Sequence, residues 1–509
     1  MDGGGGKVYF VGAGPGDPKL ITIRGKEILS RADVVVFDRL VNSRLLKYIR
    51  EDAEQIYCGK LPDKHDIPQD EINRILVHHA KQGKLVVRLK GGDPSVFGRV
   101  GEEAEFCLSH GITFEIVPGV TSGIAASAYA GIPVTHRDMN TTVAFITGHT
   151  KTGKAPDINW EYLAKGIETL VFYMGVTNLP FIQQQLLRYG RSSETPVALV
   201  RWGTFSKQET LIGNLGNIVE RVEKAQFKAP AIILVGENVR LRNKLAWFET
   251  KPFFGKTVLL PRGIRNAGDL DQNIEDVIEE LGGEVVNFQE VVSVSEEEEN
   301  QIRDILMQIG RFRWIVFSDV ITMSYFFRHF KKLSLDIRSI SAGFVGLDGR
   351  CIAALSDRGF IPFAFSDWLD RVMPEDEVLY LGSKNMNDLS KAGSRHIKFS
   401  VSLSLYRRVI SDEEIDKIKQ LSEDKALHMV VFTDPSSVTT FFQAFGEHHF
   451  DSLFQDIAVV CLGTSTESVL EGYGCKADLT ISEESLDKQS IGELLQRAPF
   501  RIESLTAKI

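Results

Sequence analysis

Nowhere in these 509 residues does an apolar run approach the ~20 positions that cross a bilayer, and the opening MDGGGGKVYF has no basic stretch followed by an apolar one. Those absences lead to the expectation of a cytoplasmic protein with no membrane partner. Cysteine is scarce: Cys58, Cys107, Cys351, Cys461 and Cys475 are scattered without a C-x-x-C pair, which argues against a disulfide framework and against a zinc site. Histidine offers no H-E-x-x-H or similar helix-face spacing, so no metal centre is expected. A G-x-G-x-x-G unit between strand and helix is also missing, and with it a dehydrogenase site. Basic charge is short, the formal net being −9, and the shortage is lopsided: residues 1–250 sum to +4 and residues 251–509 to −13. That balance leaves no nucleic-acid footprint in the second half, whereas the first half is able to receive an anionic ligand.

What is present is the composition of a globular protein, 43% apolar and 25% charged, at a length that suggests two to four domains. The first half alternates strand-like and helix-like stretches. KVYFVGAG reads as a strand, TIRGKEILSRA as a helix with Thr22 as N-cap, DVVVFD as the next strand, and DEINRILVHHAKQG as a helix ended by Gly83. KLVVRLKGGDP then runs as a strand into a second glycine turn. This order predicts a mostly parallel sheet with helices on its faces and ligands at the carboxyl ends of the strands, where the glycine turns at 12–16 and 91–92 fall. Around WFETKPFFGK (residues 247–256) the pattern restarts with TVLLPRG, which puts a domain boundary near residue 252. The remainder contains a duplication. WIVFSDVITMSYFFRHF from Trp314 aligns without gaps on MVVFTDPSSVTTFFQAF from Met429, each copy an apolar strand, a turn with Asp and hydroxyls, and an aromatic-rich helix. Paired copies predict two lobes with a cleft between them, a common ligand site.

The first glycine turn is no phosphate cradle, because Gly12, Gly14 and Gly16 are followed by Asp17 and Pro18, a carboxylate where phosphate needs donors. Five stretches have to be explained together: GAGPGDP (12–18), VVVFDRLV (34–41), RLKGGDPSVFGR (88–99), VPGVTSGIAASAYAGIPVTHRD (117–138) and YMG (173–175). As an ordered set they resemble the tetrapyrrole methylase family, in particular uroporphyrinogen III C-methyltransferases, over residues 7–248. The resemblance implies two α/β lobes, a homodimer, and S-adenosylmethionine folded in the trough between the lobes. Carried over residue by residue, it places Pro15, Gly91, Gly92, Asp93, Val96, Thr121, Ser122, Met174, Gly203 and Ala231 on the cofactor pocket, with Asp38 as proton acceptor and Lys60 as donor. From the residues alone, Val96 and Met174 read as ordinary core, and Thr121 and Ser122 as helix caps. Asp38, at the end of an apolar strand, reads as a carboxylate partly desolvated unless partnered, a setting for base chemistry. Arg24, Arg39, Arg99 and Arg137 lie in or beside the motifs as candidate forks for the carboxylates of the implied substrate, uroporphyrinogen III. The implied reaction is two successive methylations giving precorrin-2, on the way to sirohaem or cobalamin. The acidic total argues against the alternative of an RNA-directed methylase.

With 249–255 as a linker, residues 256–509 resemble uroporphyrinogen III synthase through VLLPRG, the paired VFSDVITM and VFTDPSSV turns, VSLSLYRRV (401–409) and CLGTSTESVLEGYG (461–474). That family has two α/β lobes joined by two strands, here residues 256–292 with 407–509, and 295–403. It closes hydroxymethylbilane to uroporphyrinogen III without a cofactor. The likeness implies a catalytic Tyr406 and cleft-facing hydroxyls at Thr464, Ser465 and Thr466. Two features depart from the pattern: Asp319 and Asp434 stand where Ser is common, and an acidic half must gather Arg262, Arg265, Lys384, Arg407 and Arg408 to receive a polyanion. A second half that only binds tetrapyrrole or serves as a scaffold stays open as the alternative.

Overall fold

The computed structural model describes residues 6–50, 52–59, 67–149, 157–261, 269–287, 290–347, 349–382, 399–405, 407–410, 412–446, 456–482 and 488–500. By its internal contacts the chain divides into two units, one running to Thr257 and including Ile278–Glu284, the other comprising Val258–Val277 and Val285–Ile502.

The first unit opens with a fully parallel sheet in the order β3-β2-β4-β1-β5, formed by β1 (Lys7–Gly12), β2 (Val34–Phe37), β3 (Glu54–Tyr57), β4 (Leu85–Lys90) and β5 (Thr113–Val117). Both faces of such a sheet are covered, so its inner strands read as unbroken apolar runs. The valines of β2 illustrate this. Val34 and Val36 join a cluster with Leu76 and Ala80 of α2 (Gln69–Lys81) and Ala104 of α3 (Val100–Ser109), while Val35 faces Ile28 and Leu29 of α1 (Ile23–Leu29). The caps follow the sequence expectation at both helices: the Thr22 hydroxyl accepts from the Gly25 N–H at 3.1 Å, and Gly83 takes φ +81° just after α2.

The second sheet runs β6-β7-β10-β8-β9, from β6 (Val143–Thr147), β7 (Thr169–Tyr173), β8 (Pro196–Arg201), β9 (Glu209–Asn214) and β10 (Ala231–Val235). Here the expectation of parallel pairing needs correcting. Only β6 and β7 are parallel; β10 is antiparallel to β7 and β8, and β8 to β9. Residues 202–208, between β8 and β9, are too few for the crossover of a dozen or more residues that parallel neighbours need. The helix α4 (Ser122–Tyr129) sets Ala126 against Val171, Tyr173, Val200 and Ile232, which brings Tyr173 beneath the start of that helix.

The second unit contains two further five-stranded sheets. One joins Thr257–Leu260 and Glu284–Asn287 to Met429–Phe432, Ala458–Leu462 and Leu479–Ile481; the other, fully parallel, is built from strands between Trp314 and Leu403. An antiparallel pair, Glu290–Ser293 with Arg407–Ile410, forms a separate ribbon. The duplication has a physical counterpart in the helices Val320–Lys332 and Pro435–Phe445. Phe326 and Phe441 occupy equivalent positions, both fully buried, and the two departing aspartates do the same job. Asp319 accepts from the Thr322 N–H at 2.8 Å and Asp434 from the Ser437 N–H at 3.0 Å, so each caps the helix that follows its strand. Ser and Asp are interchangeable in that role. Asp319→Ala should therefore lower stability by about 1 kcal/mol in chemical denaturation, with Asp319→Ser keeping most of it. A loss equal in the two variants would refute the capping role.

Candidate active site

The two glycine turns interlock at the carboxyl end of the first sheet. Gly92 N–H donates to Gly14 O at 2.7 Å, Gly14 N–H returns to Gly92 O at 3.2 Å, and Ala13 N–H reaches Lys90 O at 2.7 Å. Asp93 fastens this pair to the end of β5: its Oδ2 accepts from Gly119 N–H at 2.9 Å and its Oδ1 from Ser95 N–H at 2.7 Å. Gly92 has φ +71°, and a Cβ there would meet nothing nearer than 3.8 Å, so its bare face opens onto free space.

That space is a cavity of about 790 Å³ between the two sheets of the first unit. All ten positions carried over to the cofactor pocket, from Pro15 to Ala231, lie on its wall, and so does Asp38. Of the four candidate arginines, Arg39 and Arg99 line it; Arg24 and Arg137 do not, and Arg24 pairs instead with Glu115 at 3.0 Å. Lys60, Tyr406, Arg262, Arg265 and Lys384 lie outside the described residues. Arg407 and Arg408 belong to the strand paired with Glu290–Ser293. Thr464 and Ser465 are exposed at the start of their helix, but Thr466 is 1% exposed and packs inward, contrary to the expectation that it faces a cleft. Thr121 stands at the N-cap of α4 without a capping bond; its hydroxyl pairs with the Tyr173 hydroxyl at 2.7 Å, which also accepts from Gly123 N–H at 2.8 Å. Burial pushes the Tyr173 phenol up, keeping it a neutral donor.

Several wall residues pay for their placement in backbone strain. Phe97, Arg99, Met174 and Trp202, none of them glycine, have φ between +50° and +59° and all line the cavity. Such conformations persist where the surroundings over-determine them, which is common at ligand sites. Met174 and Phe97 remain 49% and 40% exposed at the cavity rim, so Met174 is not the ordinary core residue that its spacing alone suggested.

Asp38 is partnered. Its Oδ2 accepts from Arg88 Nη2 at 3.2 Å and its Oδ1 from Leu40 N–H at 3.0 Å, so the carboxylate is matched rather than stranded, and its side chain is 28% exposed, lining the cavity. Arg88 and Lys90 were not singled out in the sequence. They are two positions apart on β4, hence on one face, and a pair of cations in an otherwise apolar central strand is the signal that marks them.

The residues fit an adenosine-type sulfonium ligand. Val96, Met174, Ala231 and Ile232 offer apolar surface for the adenosine and thioether parts, the glycine turns allow backbone approach, and the wall carries both signs of charge, Asp38 and Asp93 with Arg39, Arg88, Lys90 and Arg99. Among the described residues no group of His, Cys, Asp and Glu is arranged to hold a metal ion, and no helix is long and apolar enough to cross a membrane.

Fold and cavity together define a two-lobed α/β unit with a cavity at its strand ends. Comparison with known proteins makes this specific. Residues 7–219 match the family model of tetrapyrrole (corrin/porphyrin) methylases and residues 272–488 that of uroporphyrinogen-III synthase HemD. A uroporphyrinogen-III C-methyltransferase of Bacillus subtilis is 39% identical, covering 92% of this chain and 94% of its own. A porphyrin biosynthesis protein HemD of Ruminiclostridium josui is 35% identical over 96% of this chain and 98% of its own. A uroporphyrin-III C-methyltransferase of Thermus thermophilus, solved with S-adenyl homocysteine, is 40% identical over 46% of this chain and 99% of its own, with a TM-score of 0.41. The chain belongs to the tetrapyrrole methylase family, in the form that carries a uroporphyrinogen-III synthase region behind the methylase.

Proposed function

We propose that the first unit methylates uroporphyrinogen III twice from S-adenosylmethionine to give precorrin-2, and that the second half makes that substrate by closing hydroxymethylbilane. The observation that carries the first part is the convergence of Asp38 and all ten cofactor positions on one cavity of a tetrapyrrole methylase fold. When bound, S-adenosylmethionine supplies a methyl group already activated by the sulfonium. Gly91, Gly92 and Asp93 hold the ligand's polar edge while Val96, Met174 and Ala231 exclude water from the transfer path. An electron-rich pyrrole carbon held in line at about 3–3.5 Å needs little further help. The carbon that accepts the methyl leaves the ring system with a proton to lose, and Asp38, on the cavity wall with Arg88 behind it, accepts that proton. Arg39 and Arg99, at the same wall, meet substrate carboxylates. Lys60 is retained as proton donor by its place in the family motif.

For the second half, the family match over residues 272–488 is the support, with Tyr406 as the catalytic candidate and no cofactor required. Two copies associating through the methylase half complete the reading. Supplying the purified chain with hydroxymethylbilane and labelled S-adenosylmethionine tests both halves at once. Dimethylated type III product is expected; accumulation of only the type I isomer of uroporphyrinogen would show that the second half does not catalyse closure.

A further inference from the structure

Beside Asp38, Arg88 and Lys90 reach the cavity wall, and behind them lies a carboxylate that the methyl-transfer chemistry does not itself use. Glu103, on α3, is 0% exposed. Its Oε2 accepts from Lys90 Nζ at 2.8 Å, and its Oε1 from Gln69 Nε2 at 2.9 Å and Arg88 Nε at 3.5 Å. Arg88 is itself pinned, with Nη1 donating to Leu89 O at 3.0 Å and Val36 O at 3.4 Å, which leaves Nη2 aimed at Asp38. Arg88 and Lys90 are thus balanced by Asp38 and Glu103 in a site where an unmatched charge is costly. Burial, reinforced by Arg88, pushes the Lys90 ammonium below its ordinary value. Glu103, through its charge and its hydrogen bond to Nζ, opposes that shift.

We propose that Glu103 is a positioning residue for Asp38: by neutralising Lys90 and holding the Arg88 guanidinium from behind, it sets the charge and the aim of the carboxylate at the cavity. The inference rests on the reading of Asp38 as proton acceptor. The groups around Asp38 are Arg88 and Lys90 from β4, Glu103 from α3, Gln69 from α2, Cys58 after β3 and its chain neighbour Arg39. Burial pushes the Cys58 thiol up, so it stays neutral near pH 7. Apart from Arg39, Asp38 therefore faces a net charge of +1, from Arg88, Lys90 and Glu103.

Glu103→Gln raises that net charge and Lys90→Met lowers it, so the two changes push the acidic limb of the methyl-transfer rate in opposite directions. Glu103→Gln should move the limb down by about one pH unit, and Lys90→Met up by a similar amount. The double variant should return the limb toward the parent, while S-adenosylhomocysteine affinity, measured by calorimetry on the full chain, changes far less than turnover. Shifts of the same sign, or none, would overturn the proposal. If Glu103→Gln fails to fold, Lys90→Met alone decides, since an unmoved limb refutes it. Asp38→Asn in the same assay keeps the two ideas apart. Full turnover in that variant would remove Asp38 as acceptor, whereas loss of turnover there with unmoved limbs in the others would remove only Glu103.

Discussion

Asp38→Asn should lower the rate of methyl transfer by roughly 10²–10⁴-fold while leaving S-adenosylhomocysteine affinity close to that of the parent. Asparagine keeps the size of the side chain and the acceptor that takes the Leu40 N–H, so the turn after β2 is retained. What it loses is the capacity to take up a proton, together with the anionic partner of Arg88 at 3.2 Å. An interaction realised only as the proton departs affects turnover and not ground-state binding. Parallel single-turnover and calorimetric measurements check this. Equal losses in rate and affinity would make Asp38 a structural residue of the cavity wall.

Gly119→Ala is the second large effect. A Cβ at Gly119 would sit 2.4 Å from Gly92 O, 2.8 Å from Gly12 Cα and 3.0 Å from Gly12 C. All three atoms are backbone, so no rotamer change relieves the contact. Either the end of β5 moves away from β1 or the Gly92 turn is displaced, and the bond from Gly119 N–H to Asp93 goes with it. Overpacking of this kind costs about 1–3 kcal/mol, and a shift of the glycine turn by a fraction of an ångström should lower turnover by up to ~10²-fold. Thermal melting and single-turnover rates should both report it. Gly101→Ala is the matched control: a Cβ there meets nothing within 4 Å, and it lies within α3, where alanine is favoured over glycine by roughly 0.5–1 kcal/mol. Indistinguishable behaviour of the two variants would contradict the close packing of the glycine turns.

The parts of this protein that were legible in its sequence are those that depend on local periodicity or on a spaced set of motifs. The valine run of β2, the Thr22 cap and the Gly83 stop each report a local requirement, and each element stands where its pattern indicated. The meeting of the two glycine turns at one cavity was legible because a parallel sheet gathers the turns after its strands at one edge, whereas the other lining positions were marked only by the family resemblance. The mixed second sheet was not, since pairing direction is set by how the chain returns and only the short connection at 202–208 hinted at it. Nor was the network behind Asp38. Glu103 meets Arg88 and Lys90 across a strand-to-helix contact, and Gln69 joins from a third element, an arrangement with no spacing to betray it. Thr121 shows the same limit on a small scale: a hydroxyl at an N-cap position suggests a cap, but Tyr173, 52 positions away in sequence, offers it the better partner.

The most direct test of the central claim, that a methyl donor and a reduced macrocycle meet in the cavity of the first unit, is anaerobic incubation of the full chain with uroporphyrinogen III and isotopically labelled S-adenosylmethionine, read by mass spectrometry. The cavity and the family match lead to a product carrying two labelled methyl groups on carbon. Unchanged macrocycle, with no heat of binding from S-adenosylhomocysteine, would contradict it.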